Sequence, residues 1–235
     1  MALHTFVSPD DVTVGGKVLA WAKDYLTKEH ASLNRPYHPK ALCPYVEASL
    51  KANSFYMVFH DEFNGRDGRA IADQILNYAL PFKKTSPTGP NEQMLKALLI
   101  VFPKIEPKFF EALDECHQKI KPKMVKLGLM VGQFHPRCRE RAIHNQRWNS
   151  ISTSPVPLMA MRHMTLHDIM FLGDDRQSFR EYDSKFGFNF AERGKLLRGY
   201  QKHLLAYYEQ AKAKFSDSGP DKGSDQDRTP RGSLM

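Results

Sequence analysis

Apolar side chains recur along this chain with two periods, and the period changes mark the elements. Between residues 14 and 33, Leu19, Ala22, Leu26 and Leu33 follow a helical spacing, with Val18, Trp21 and Tyr25 beside them. Three prolines make residues 34–46 an extended crossing segment. Residues 54–60 (SFYMVFH) are aromatic and β-branched and predict a strand. Asp67 is placed to cap a helix carrying Ile71, Ile75 and Tyr78 on one face, which Pro81 should end. The continuous run ALLIVF at 97–102 predicts a central strand covered on both faces. A helix follows from Pro107 to about Leu127, and Pro122 should kink or break it. Residues 129–134 form another strand, 136–154 a polar loop, and 156–164 a further extended run. A last helix is expected to end near Phe215. The sum is an α+β fold: about four strands in a mainly antiparallel sheet, helices packed on one face, and a C-terminal helix.

The final stretch, residues 216–235, changes this picture, because it carries almost no apolar side chains and reads as a disordered tail behind a single domain of residues 1–215. The chain of 235 residues has a net charge of +8. That surplus fits anionic partners, but the basic residues are spread out and form no nucleic-acid motif, so no nucleic-acid partner is expected. Every apolar run is interrupted by Lys, Asp or Pro, so no membrane partner is expected either. Three scattered cysteines make no disulfide framework, and the first residues lack a signal-peptide pattern. These features predict a cytoplasmic protein acting on a small molecule, with a homodimer left open. Glycine-rich phosphate loops and a G-x-S-x-G elbow are missing, which removes the cofactor and hydrolase classes that depend on them.

The candidate chemistry sits at 128–145, GLMVGQFHPRCRERAIHN. A strand delivers His135 to its end and Pro136 fixes the backbone after it, a common way to present a reactive side chain. Arg137, Arg139 and Arg141 follow, with Cys138, His144 and Asn145 among them. On the next strand, alternation places Arg162 with Leu158 and Ala160, and His163 with Met159 and Met161. His163-x-x-x-His167-Asp168 would put two imidazoles on one helical face; with His135 they would make a non-haem iron or zinc site. His135-x-x-Cys138 with His144 is a second conceivable zinc set. Each residue also has a plain structural reading, from a satisfied loop imidazole at His135 to a buried small side chain at Cys43.

The motifs LCPYV (42–46), GLMVGQFHP (128–136), HN (144–145) and SPVPLMAMRHM (154–164) resemble an uncharacterised bacterial domain family met beside specialised-metabolite genes. The resemblance covers residues 36–185. The layout is also similar to the YqcI/YcgG-like proteins, some of which look like small haem enzymes acting on amino-acid nitrogen. That similarity implies a haem b oxidoreductase with an amino-acid-like substrate. His135 would be the axial ligand, with Cys43 as a rival. Arg137, Arg139, Arg141 or Arg162 would pair carboxylates, and Arg162, His144 and Asn145 would serve catalysis. Two other readings stand beside it: the non-haem site above, and a non-catalytic module that binds an anionic ligand through its arginines.

Overall fold

The computed structural model describes residues 9–28, 41–142, 145–193 and 198–216. Four strands form the main sheet in the order β1 (Phe55–Phe59), β2 (Ala97–Val101), β6 (Leu158–His163) and β3 (Leu129–Phe134). β1 and β2 are parallel, whereas β6 is antiparallel to both of its neighbours. The α+β class is therefore as the pattern implies, but the sheet is mixed. The parallel pair follows from a crossover through α3 (Gly68–Asn77) and α4 (Ala79–Lys84), which returns the chain to the same end of the sheet.

β2 is flanked on both edges and apolar on both faces, which is why its sequence shows no alternation. Leu98 and Ile100 enter the core under α3 and α5 (Glu111–Lys126), while Leu99 and Val101 enter the core on the other side. That second face is covered by α1 (Pro9–Trp21), whose Val18 is fully buried against it. Helices thus lie on both faces rather than one. The apolar stripe of α1 is the cause, since it can be buried only against the face the other helices leave open. After Trp21 the helix widens into a π turn over Ala22–Leu26, and the short α2 (Val46–Lys51) precedes β1.

Local signals held where they concern a single turn. Asp67 caps α3, its carboxylate accepting from the Ala70 amide at 2.9 Å. Gly128 has φ of 75° and closes α5 in the left-handed conformation that a side chain disfavours. Two proline expectations are corrected. Pro81 lies in the first turn of α4, where no amide donor is missed, so it opens a short helix instead of ending the previous one. Pro122 sits inside α5, which continues to Lys126. Four buried side chains of that helix (Leu113, Cys116, Ile120, Met124) keep it against the sheet despite the lost hydrogen bond.

The polar loop after β3 contains a two-stranded ribbon, β4 (Arg141–Ala142) and β5 (Asn145–Ser150). Beyond β6 come the short α6 (Ile169–Leu172) and α7 (Arg176–Arg193). α7 is a helix that its charge-rich sequence does not announce. Phe179, Tyr182, Phe186 and Phe190 form its buried stripe, packed with Leu204 and Tyr208 of α8 (Tyr200–Ser216). The rest of the expected first helix, most of the proline-rich crossing and the tail beyond Ser216 lie outside the described residues. Among the described residues, no helix is long and apolar enough to cross a membrane.

Pro122 faces solvent, so replacing it tests the cost of that lost bond without disturbing packing. Restoring the helical bond and removing the ring clash is worth about 3 kcal/mol, and the freer unfolded chain takes back about 1. Pro122→Ala should therefore raise unfolding free energy by about 2 kcal/mol, read from the denaturant midpoint at unchanged slope.

Candidate functional site

β6 divides the chemistry of this chain between the two faces of its sheet. Met159, Met161 and His163 point towards α3 and α5, and Leu158, Ala160 and Arg162 point the other way, as the alternation implies. On that second face Ala160 lies opposite Gly132 of β3 and Leu99 of β2. Two neighbouring positions with almost no side chain leave a hollow in the sheet surface. A Cβ built on Gly132 would come no nearer than 3.5 Å to the Phe134 ring. The hollow is a cavity of about 260 Å³ whose apolar wall includes Trp21, Leu26, Phe55, Leu99 and Phe134.

Its roof is the π turn together with the segment at Leu42–Val46. The Cys43 amide donates to the Leu26 carbonyl at 2.9 Å, fixing that segment to the helix end. The Trp21 indole donates to the Thr153 carbonyl at 2.9 Å, and the Tyr25 hydroxyl to Ile151 at 3.2 Å. Trp21 also meets the Phe134 ring edge-on at 5.3 Å. The roof therefore joins three separate stretches of chain.

The polar end is built around Arg162. Its Nη1 donates to Asp168 Oδ2 at 2.8 Å and to the His163 carbonyl at 2.9 Å, and its Nη2 to Asp168 Oδ1 at 2.5 Å. Asp168 is completely buried, and its Oδ2 also accepts from the Thr165 amide at 2.7 Å and the Thr165 hydroxyl at 3.2 Å. The Tyr45 hydroxyl is 2.7 Å from the Thr165 hydroxyl, and the Arg162 guanidinium lies over the Tyr45 ring at 4.9 Å. Burial opposes ionisation of Asp168, but the guanidinium outweighs it and holds the carboxyl below its usual range. Burial likewise opposes the charge on Arg162, and Asp168 more than restores it. Asp168 occupies the end-on fork of the guanidinium. Its Nε–H and the second Nη2–H, which share one edge, have no partner among the described residues. Lys96 also lines the cavity, but its ammonium is committed to the carbonyls of Phe82 at 2.8 Å, Thr85 at 2.6 Å and Lys83 at 3.4 Å.

The structure brings Arg162, Cys43 and His167 together on this cavity and keeps His135, His163, Arg137, Arg139 and Arg141 off its wall. His135 turns the opposite way, towards α5. It is 1% exposed, tilted against the Phe110 ring at 5.2 Å and bonded through Nε2 to Asp114 at 3.2 Å. Following Phe134 on the strand, it falls on the Val131 side, so period-two alternation carries it away from the hollow. A haem in the cavity held by His135 therefore does not fit, and a tetrapyrrole on the rival ligand Cys43 exceeds a volume below the ~300–1,000 Å³ of pockets for drug-sized ligands. Arg137, Arg139 and Arg141 are exposed and outside the cavity wall; Arg137 lies over the Phe110 ring. The set His135, His163 and His167 is not assembled either. His163 pairs with Leu129 at one end of β3 and His135 follows its other end, about 20 Å away at strand rise. His167 lines the cavity against Tyr45 and Phe171. His144 and the Asn145 side chain lie outside the described residues.

Sequence reasoning missed Asp168 as the partner of Arg162. The signal was present: Thr165-x-x-Asp168 before an apolar run is a capping box, and the structure forms it. Tyr45 and Asp114 carry no comparable signal, because their partners are far away in sequence.

The chain matches a family model, described as a domain of unknown function (DUF6875), over residues 16–196, and so belongs to that family. No curated protein and no solved structure matches it.

Two measurements probe the charges around this site. Removing Asp168 leaves the guanidinium buried and unpaired, so Asp168→Ala should lower unfolding free energy by about 3–5 kcal/mol. His163 has its Nε2 buried without a partner among the described residues and lies against Phe82. Burial, with Lys96, Lys185 and Lys83 nearby, pushes its pKa down to about 4. The unfolded chain then binds the extra proton first, so stability is constant above about pH 6.5 and falls as pH drops towards 4. Burial pushes His117 down to about 4 as well, so His163→Phe should lessen the slope of that segment of the stability–pH curve without removing it.

Proposed function

We propose that this member of the family binds a compact, mainly apolar carboxylate, seated in the hollow over Ala160 and Gly132 with its charged end on Arg162. The observation that carries this reading is the half-used guanidinium at the end of an apolar cavity. Asp168 fixes the plane of the guanidinium. The free edge offers two parallel N–H donors, the geometry a carboxylate accepts bidentately. Because Asp168 already holds the side chain in one rotamer, a ligand gains those bonds without ordering it.

Charge and composition agree. The Arg162–Asp168 pair is neutral as a unit, and Lys96 and Lys121 against Glu140 leave the wall with a surplus of one positive charge. The volume suits a molecule smaller than a typical drug, with a short alkyl chain or a single ring. Cys43, Cys116 and Cys138 are all unpaired, which fits a reducing compartment and a cytoplasmic protein.

Phenylpropionate and hexanoate, with phenylpropanol and hexanol as uncharged counterparts, provide the test in thermal shift and calorimetry. The acids should raise the melting temperature in proportion to concentration, and the alcohols should do so much less. Arg162→Lys, which keeps the charge but removes the fork, should weaken acid binding about tenfold, or ~1.4 kcal/mol. Ala160→Leu fills the hollow from its floor and should abolish binding while leaving the fold intact. Equal shifts from acids and alcohols, or acid binding retained in Ala160→Leu, would overturn the reading.

A further inference from the structure

We infer that Asp114, His135 and Cys138 form a binding site for a divalent transition-metal ion, on the opposite side of the sheet from the cavity. One ligand atom from each of the three lies within 4.8 Å of the others. In a tetrahedral zinc site with bonds of 2.0–2.3 Å, donor atoms sit about 3.5 Å apart, so closing this group requires side-chain movement of only about 1 Å. His135 and Asp114 are already in contact at 3.2 Å.

The scaffold holds these donors in place before any ion arrives. His135-Pro136-Arg137-Cys138 is a tight turn, closed by the Cys138 amide donating to the His135 carbonyl at 3.0 Å. Proline at its second position presets the backbone. A turn that brings residues i and i+3 together is how zinc sites place a pair of ligands spaced by two residues. The third donor comes from the first turns of α5, a helix packed against β3.

Each donor is also suited to the ion. His135 is buried, its Nε2 meets Asp114, and its Nδ1 has no partner among the described residues. With Nε2 facing Asp114, the lone pair of the neutral ring is placed for the ion, and Nδ1 carries the ring's N–H. Cys138 is 3% exposed, and the Glu140 amide donates to its sulfur, the outer contact a coordinated thiolate needs. The Glu140 carboxylate nearby favours a cation, while Arg137 and Arg139 oppose it from exposed positions where solvent screens them.

One sulfur, one nitrogen and one carboxylate oxygen select zinc, cobalt or ferrous iron over magnesium or calcium. Three protein ligands leave a fourth position, and the Asp114 side chain, 32% exposed, opens it towards solvent. The site is thus of the open kind, unlike a closed structural zinc centre.

The test uses the full chain, stripped with chelator and titrated with cobalt. One cobalt per chain should bind, giving a near-ultraviolet thiolate-to-cobalt band and the intense visible bands of four-coordination, and zinc should displace both. Cys138→Ser should lose the ultraviolet band, and Asp114→Asn, which keeps the size of the side chain, should weaken cobalt binding at least about tenfold. Cys43→Ser and Cys116→Ser should leave the spectrum unchanged. Failure to bind cobalt, a thiolate band that survives in Cys138→Ser, or one that disappears in Cys43→Ser would each overturn the assignment. None of these readouts depends on whether the cavity takes a carboxylate.

Discussion

The buried pairing of Arg162 with Asp168 is the interaction on which the rest of the cavity depends. Removing a carboxylate and a guanidinium from water costs several kcal/mol for each ion, and their mutual attraction alone does not return it. Here further bonds fill the carboxylate side: Asp168 Oδ2 takes three donors, and Arg162 reaches the His163 carbonyl as well, which leaves one guanidinium edge for the cavity. The pair therefore ties the end of β6 to the turn at Thr165–Asp168. Through Thr165 and the Arg162 face it also locates Tyr45, and with Tyr45 the segment that roofs the cavity.

The sheet acts as a partition. Along β6, Arg162 and His163 are neighbours in sequence, yet one faces an apolar hollow and the other is sealed among Phe82 and three lysines. Along β3, Gly132 opens the hollow and His135, three residues later, closes onto α5. A shift of one residue in either register would exchange these environments, which is why register is strongly specified where both faces are buried. The hollow and the Asp114–His135–Cys138 cluster can therefore both border β3 without sharing a side chain.

What the sequence discloses follows from the range of each interaction. Period two along a strand and a cap within one turn are local, so β1, β2, β3, β6, the Asp67 cap and the facing of Arg162 were all legible. The hollow was not, because it depends on Ala160 and Gly132 becoming cross-strand neighbours, and pairing is invisible until the strands are ordered. Nor was the Asp114–His135 contact, which spans 21 residues and joins a helix to a strand end. α7 was obscured for a different reason. Its aromatic stripe is spaced for burial, but charged residues between the rings mask it from an average over the segment.

The two sides of the cavity differ in how firmly they are held. The floor belongs to β2, β6 and β3, whose ladders are continuous and whose far face is the main core. The roof rests on a smaller apolar cluster of Ala22, Leu26 and Val46, with hydrogen bonds from Trp21, Tyr25 and Cys43. Local opening is least costly where apolar burial is small and backbone contacts are few. Opening is therefore least costly at the roof, where a π turn over Ala22–Leu26 lacks the regular α-helical hydrogen-bond spacing beside the Cys43 attachment. The floor, with its charge pair, is the more firmly held side, so the proposed carboxylate would meet Arg162 in the geometry that Asp168 already sets.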